Sequence, residues 1–107
     1  MSANSSEVIL SKRAVADLQN IYANCIERWG SDYADDYLAR LYEKLALLRS
    51  NPLLDRERAE LRRGLRSLPA ERHIILYNFD VSKNEVHVRT ILHSRMDIPK
   101  RLHSSTE

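Results

Sequence analysis

The sequence predicts an α+β fold in which an antiparallel helix hairpin packs on one face of an antiparallel four-stranded sheet. Two stretches between Lys12 and Asn51 carry apolar residues every three or four positions, the signature of amphipathic helices. Only Gly30-Ser31 separates them, a connection short enough to fold one helix back along the other. Short apolar runs flank this pair, one before it and three after it.

The first run is Glu7–Leu10, a strand. Ser11 stands where an N-cap belongs, its hydroxyl placed to accept from the first-turn amides. Ala14, Val15, Leu18, Ile21, Tyr22, Cys25, Ile26 and Trp29 then mark a helix from about Lys12 to Arg28. Gly30 suits a left-handed stop, and Ser31 is the next candidate cap. Ala34, Tyr37, Leu38, Leu41, Tyr42, Leu45 and Leu48 mark the second helix, which stops at Asn51-Pro52. The charged stretch 55–63 suits either a helical turn, with Arg56–Glu60 and Glu60–Arg63 ion pairs, or an extended loop. After Gly64 come a strand at Leu65–Leu68, a turn at Pro69-Ala70, a strand at His73–Phe79, a hairpin through Val81–Asn84, and a strand at Glu85–His93. In that last strand, regular alternation puts Val86, Val88 and Leu92 on one side. His87, Arg89, Ile91 and His93 fall on the other.

A chain of 107 residues is expected to form one domain, 1–107, with a core over about 7–102. Its apolar and charged shares, 43% and 30%, exclude the disordered and membrane classes. The single cysteine allows no internal disulfide, which suits a reducing compartment. No apolar run approaches the ~18–20 residues of a membrane span, and Met1–Ser6 lacks the basic and apolar regions of a signal peptide. A cytoplasmic protein without membrane partners is expected. Residues 1–48 carry five Lys/Arg against seven Asp/Glu, and residues 49–107 carry twelve against eight. The basic second half suits an acidic partner or nucleic acid, or is a solvated surface.

Most chemistries fail on spacing. The four histidines include no His-x-x-x-His pair, and His87 and His93 would stand about 20 Å apart on one strand, so no metal site is expected. Cys25 lies on an apolar helix stripe and reads as a buried structural thiol. With two glycines there is no phosphate-cradling loop or nucleophile elbow, and no cofactor is expected. The aromatics are too scattered for a base-stacking platform and follow core spacing. Metal-free RNA cleavage needs a base, an acid and cations around one phosphate. Glu60, Arg66, Arg89, His93 and Arg95 are of the right types. Arg89 and His93 would share a face about 13 Å apart, too far to act together on one phosphate.

Several blocks, in order, resemble one family. They are Ala14-Val15-Ala16-Asp17-Leu18 with Ile21, then Trp29-Gly30 at the hairpin, and Asn51-Pro52. Leu61–Leu68, His73–Tyr77 and Val88–Asp97 follow, so that the likeness runs from about residue 7 to residue 102. The chain resembles ParE-like toxins of the RelE/ParE superfamily, whose β-α-α-β-β-β architecture agrees with the order read above. The stretch after Pro52 departs from the family pattern, lacking its usual glycine. The resemblance implies a toxin neutralised by a ParD-like antitoxin encoded next to it. It also implies an inhibitor that traps the cleaved complex of DNA gyrase by binding, with no catalytic residues and no direct sequence-specific nucleic-acid binding. The site residues it implies for the target are Arg66, Arg89, His93, Arg95, Met96 and Asp97. Asp97 is equally placed to cap a final turn before Ile98-Pro99. Two other roles are open to the same fold: a ribosome-dependent mRNA endonuclease of RelE type, or a weakly toxic antitoxin-binding module. The first is disfavoured by the absence of a tyrosine after Tyr77.

Overall fold

A computed structural model describes residues 5–54 and 57–95. The elements run β1 (Glu7–Leu10), α1 (Lys12–Trp29), α2 (Ser31–Ser50), β2 (Arg66–Ala70), β3 (His73–Asp80) and β4 (Glu85–His93). This is the expected β-α-α-β-β-β order, with two helices packed on a four-stranded sheet.

The sheet order is β1-β4-β3-β2. β2–β3 and β3–β4 are antiparallel, as expected of a meander, but β1 lies parallel to β4, with Val8 beside Val86 and Leu10 beside Val88. The sheet is therefore mixed rather than wholly antiparallel. The reason is the path of the chain. A parallel pair needs a long crossover, and here the helix hairpin and the meander together supply it, so that β1 closes the free edge of the last strand.

Local chemistry explains the helix ends. The Ser11 hydroxyl accepts from the Ala14 N–H at 2.9 Å and donates to the Arg89 carbonyl at 2.7 Å, which joins the start of α1 to β4. Gly30, at φ 89°, stops α1, and its N–H donates to the Ile26 carbonyl. Gly30 also caps α2 through its own carbonyl, which accepts from the Ala34 N–H, so Ser31 is the first helical residue and not the cap. Pro69 and Ala70 belong to β2 rather than to a turn. β2 is an edge strand, where a missing N–H is tolerated, and the turn falls at Glu71-Arg72, with Glu71 left-handed at φ 59°. The stretch 57–65 is irregular. Glu57 bridges Arg66, Arg58 pairs with Glu60 at 2.6 Å, and the Arg58 carbonyl accepts from Leu61 and Arg62. Arg56 lies outside the described residues.

The main core fills the space between hairpin and sheet. Tyr37, Leu41 and Leu48 of α2 and Ala14 of α1 meet Ile75, Tyr77, Val86 and Val88, all fully enclosed. A smaller cluster of Leu65, Leu76 and Leu92, flanked by Leu61 and Ile74, lies on the opposite face beneath the 57–65 segment.

One irregularity positions everything that follows. Tyr77 pairs with Val88 but Leu76 pairs with Thr90, so Arg89 is an extra residue in β4. Such a β-bulge reverses the alternation beyond it. Val86 and Val88 face the helices, and so does Ile91, whereas Leu92 joins the small cluster on the far side.

Candidate functional site

The bulge separates residues that the sequence placed together. Arg89 and His93 do not share a face. Arg89 is exposed on the side of the sheet away from the helices, where it lines a hollow with Arg13, Arg62 and His87. His93 turns toward the helix hairpin and lines a second hollow with Arg95, Arg72, His73, Trp29 and Cys25. Arg66 belongs to neither hollow, and its guanidinium reaches the Leu53 carbonyl, just past α2, at 3.4 Å. Met96 and Asp97 lie outside the described residues. The four described ones among the six expected target-binding residues are thus spread over three places.

Beyond Leu10 nothing in β1 covers the edge of β4, and α1 takes over. The Asp17 carboxylate accepts from the Ile91 N–H at 2.9 Å and from the Thr90 hydroxyl at 2.6 Å. The Arg13 guanidinium donates to the same hydroxyl at 3.3 Å. A charged acceptor at an open strand edge satisfies a group that would otherwise invite another strand. The Asp17 of the Ala14–Leu18 block therefore acts as a staple holding α1 on the bulged strand.

The hollow at the hairpin end is about 600 Å³ and is aromatic and cationic. Trp29, Tyr33 and Tyr37 form a row, with ring centroids 5.1 and 6.2 Å apart. The Arg72 guanidinium lies 4.5 Å from the Trp29 ring centre and 5.2 Å from that of Tyr37, and donates to the Tyr33 hydroxyl at 3.1 Å. The Tyr37 hydroxyl accepts from the Arg72 backbone N–H at 2.9 Å and sits 2.7 Å from His73 Nδ1. A hydrogen bond donated by this hydroxyl to Nδ1 would place the ring's proton on Nε2. Burial first, and then the electrostatic effect of His93 and Arg72, lowers the His73 pKa to about 4, so the ring is neutral at physiological pH. His93 packs edge-on to His73 at 5.2 Å, and its Nδ1 accepts from the Arg95 N–H.

This grouping was missed at the level of sequence. The signal was present: Trp29, Tyr33 and Tyr37 are spaced by four across the helix junction, and the near-continuous hairpin keeps the row aligned. The β2–β3 turn comes two residues later than expected and brings Arg72 to the row beside His73. Cys25 is 4% exposed and forms the floor, in keeping with a structural thiol. Among the described residues no group of three His, Cys, Asp or Glu is placed to hold a metal.

A third hollow, about 390 Å³ and predominantly apolar, crosses the outer side of the hairpin between Val15, Leu18, Tyr22, Leu38 and Tyr42, with Leu10 at its end. Tyr42 and Val15 are 51% and 41% exposed there, more than large apolar groups need be if nothing covers them. None of the described helices is long and apolar enough to cross a membrane.

Residues 8–98 match the family described as ParE toxin of type II toxin-antitoxin system, parDE. Over 98 residues the chain is 35% identical to Toxin ParE1 of Mycobacterium tuberculosis (strain CDC 1551 / Oshkosh), covering 92% of this chain and 99% of that protein. Toxin ParE1 of Caulobacter vibrioides is 31% identical over 88 residues, covering 82% of this chain and 88% of that one. Among solved structures, a chain of the chromosomal ParDE TA system from P. aeruginosa superposes with a TM-score of 0.73 at 18% identity. The overlap covers 85% of this chain and 98% of that one, a likeness of fold. The chain belongs to the ParE toxin family and is a type II toxin–antitoxin toxin of the ParE/RelE superfamily.

Proposed function

We propose that this toxin poisons DNA gyrase by binding, trapping the cleaved DNA complex, and that a ParD-like antitoxin neutralises it. The observation that carries a binding mechanism is the bulge at Arg89. It sends Arg89 and His93 to opposite faces, so the two groups best suited to metal-free phosphodiester cleavage do not converge on one phosphate. Among the described residues the imidazole packed against His93 is His73, which is held neutral and hydrogen-bonded to Tyr37.

The target-facing surface is the cationic hollow that ends in His93 and Arg95. Aromatic walls and arginines supply the rigid, amphipathic anchors that dominate protein interfaces. The antitoxin takes the apolar hollow of Val15, Leu18, Leu38 and Tyr42, whose width across two helices suits the apolar stripe of a third. The two surfaces lie on different parts of the hairpin, so neutralisation requires an antitoxin segment that continues from one toward the other.

A gyrase supercoiling reaction, stopped with detergent and protease, tests this reading. Accumulation of linear, protein-linked DNA supports it, and ParD-like antitoxin should abolish the product. Intact gyrase activity accompanied by mRNA cleavage on translating ribosomes would replace it with the endonuclease reading.

A further inference from the structure

We infer that the hollow on the open face of the sheet binds the phosphate backbone of duplex DNA, without reading its sequence. Three arginines from three separate elements line it: Arg13 from the first turn of α1, Arg62 from the 57–65 segment, and Arg89 from the bulge. Among the described residues none of these three guanidiniums has a carboxylate within ion-pair distance. Several carboxylates of the neighbouring elements are engaged elsewhere, while Glu7 of β1 is exposed and forms no ion pair with the three arginines. Asp17 holds Thr90 and Ile91, Glu85 holds His87 at 2.9 Å, and Glu57 accepts from the Gly64 N–H. The first turn of α1 contains no acid and carries Lys12 and Arg13 instead, which adds to the positive end of the helix rather than offsetting it. Guanidiniums gathered without a carboxylate partner among the described residues are a cost to the folded toxin that a bound anion removes.

The shape of the hollow selects the class of anion. At about 250 Å³ it is the smallest of the three, the right scale for a phosphate group and its water rather than for a peptide. Its apolar lining is confined to Ile9 and Val88, with no Phe, Tyr or Trp, whereas the peptide-sized apolar surface lies on the helix hairpin. Guanidinium forks match phosphate oxygens in pairs. The bulge is what makes the site. It leaves Arg89 outside the ladder, and Ser11 ties the Arg89 carbonyl to the start of α1, so that Arg13 and Arg89 are held on one rigid joint.

This inference rests on the proposed function only for where the duplex is met, namely the DNA that gyrase holds. It is tested on the full-length toxin, freed of its antitoxin, by fluorescence anisotropy with two 20-base-pair duplexes of unrelated sequence. Both duplexes should bind equally, and the affinity should fall steeply with salt. The variant R62Q/R89Q should weaken both roughly tenfold or more at low salt and flatten the log–log salt slope by about two. Arg89 is exposed and Arg62 half-buried, and neither side chain is in an ion pair among the described residues, so the variant should melt close to the parent. Duplex binding in a toxin that leaves gyrase untouched would sink the gyrase reading and keep this one. Gyrase trapping by a toxin that binds no duplex at low salt, or that R62Q/R89Q leaves unimpaired, would overturn the inference. A polyglutamate peptide displacing DNA at equal charge would overturn it too, and assign the hollow to an acidic protein segment.

Discussion

The two faces of the sheet are built differently. On the hairpin side, Ile75, Tyr77, Val86 and Val88 are sealed under two long helices. On the far side the cover is the irregular 57–65 segment, over only Leu65, Leu76 and Leu92. The first face owes its shape to packing that tolerates little change. The second bears the bulge and the hollow with three arginines. The tightest packing lies on one face of the sheet and the inferred phosphate site on the other, and β4 takes part in both by changing face at Arg89.

The largest effect expected from this division is a truncation beneath the hairpin. Leu41→Ala, at a fully enclosed position, should cost about 3–4 kcal/mol in urea unfolding, because neighbours on three elements cannot close the cavity. Leu92→Ala should cost less, about 2 kcal/mol, since the thin cover can settle into the gap. Equal losses would mean that the far face is as rigidly packed as the near one, and the comparison would fail.

Next in size is the staple between the faces. Asp17→Ala leaves the Ile91 N–H and the Thr90 hydroxyl without their acceptor, at a cost of about 1–3 kcal/mol. The same change bares the edge of β4. Hydrogen exchange should therefore show Ile91 losing protection while Ile75 keeps it, and unchanged protection at Ile91 would rule out the staple.

A smaller effect separates the hairpin end by pH. His73 is neutral in the folded toxin, with its pKa lowered to about 4, while the unfolded ring titrates near its ordinary 6.5. Between these values the unfolded chain binds more protons, so stability falls as pH drops from about 6.5 toward 4, and His73 adds no pH dependence above that window. Screening of the partly exposed ring keeps the loss to about 1–2 kcal/mol. His73→Gln should flatten the profile in this window, and an identical profile in the variant would show that carboxylates alone govern it.

Much of this was legible before any coordinates. β1 and β4 begin and end, and α2 ends, where the apolar periods and stop signals place them, because local spacing and Asn51-Pro52 are strong signals. What was hidden depends on partners distant in sequence. The parallel placement of β1 is decided by the whole path of the chain. The bulge is invisible because Val88, Thr90 and Leu92 sustain an unbroken alternation in the sequence, and only pairing with Tyr77 and Leu76 reveals the extra residue. Pro69 suggested a turn because an edge strand cannot be recognised until its neighbours are known. Of the candidate site, the residue types were legible at Arg89, His93 and Arg95, but not their division between two faces.

The smallest stability effect, and the sharpest test of the division, is expected at Arg89 itself. Its side chain is exposed, and only its backbone carbonyl enters the framework, through Ser11. Arg89→Gln keeps the backbone and should shift stability by no more than about 0.5 kcal/mol. Growth arrest on induction should nonetheless weaken if the open face takes part in recognition. By contrast Ser11→Ala, which removes the helix cap together with the bond to that carbonyl, should cost about 1 kcal/mol. It should also loosen the bulge, so its toxicity should fall along with its stability. If Arg89→Gln proved as destabilising as Ser11→Ala, the bulge would be a packing device and the open face would lose its separate role.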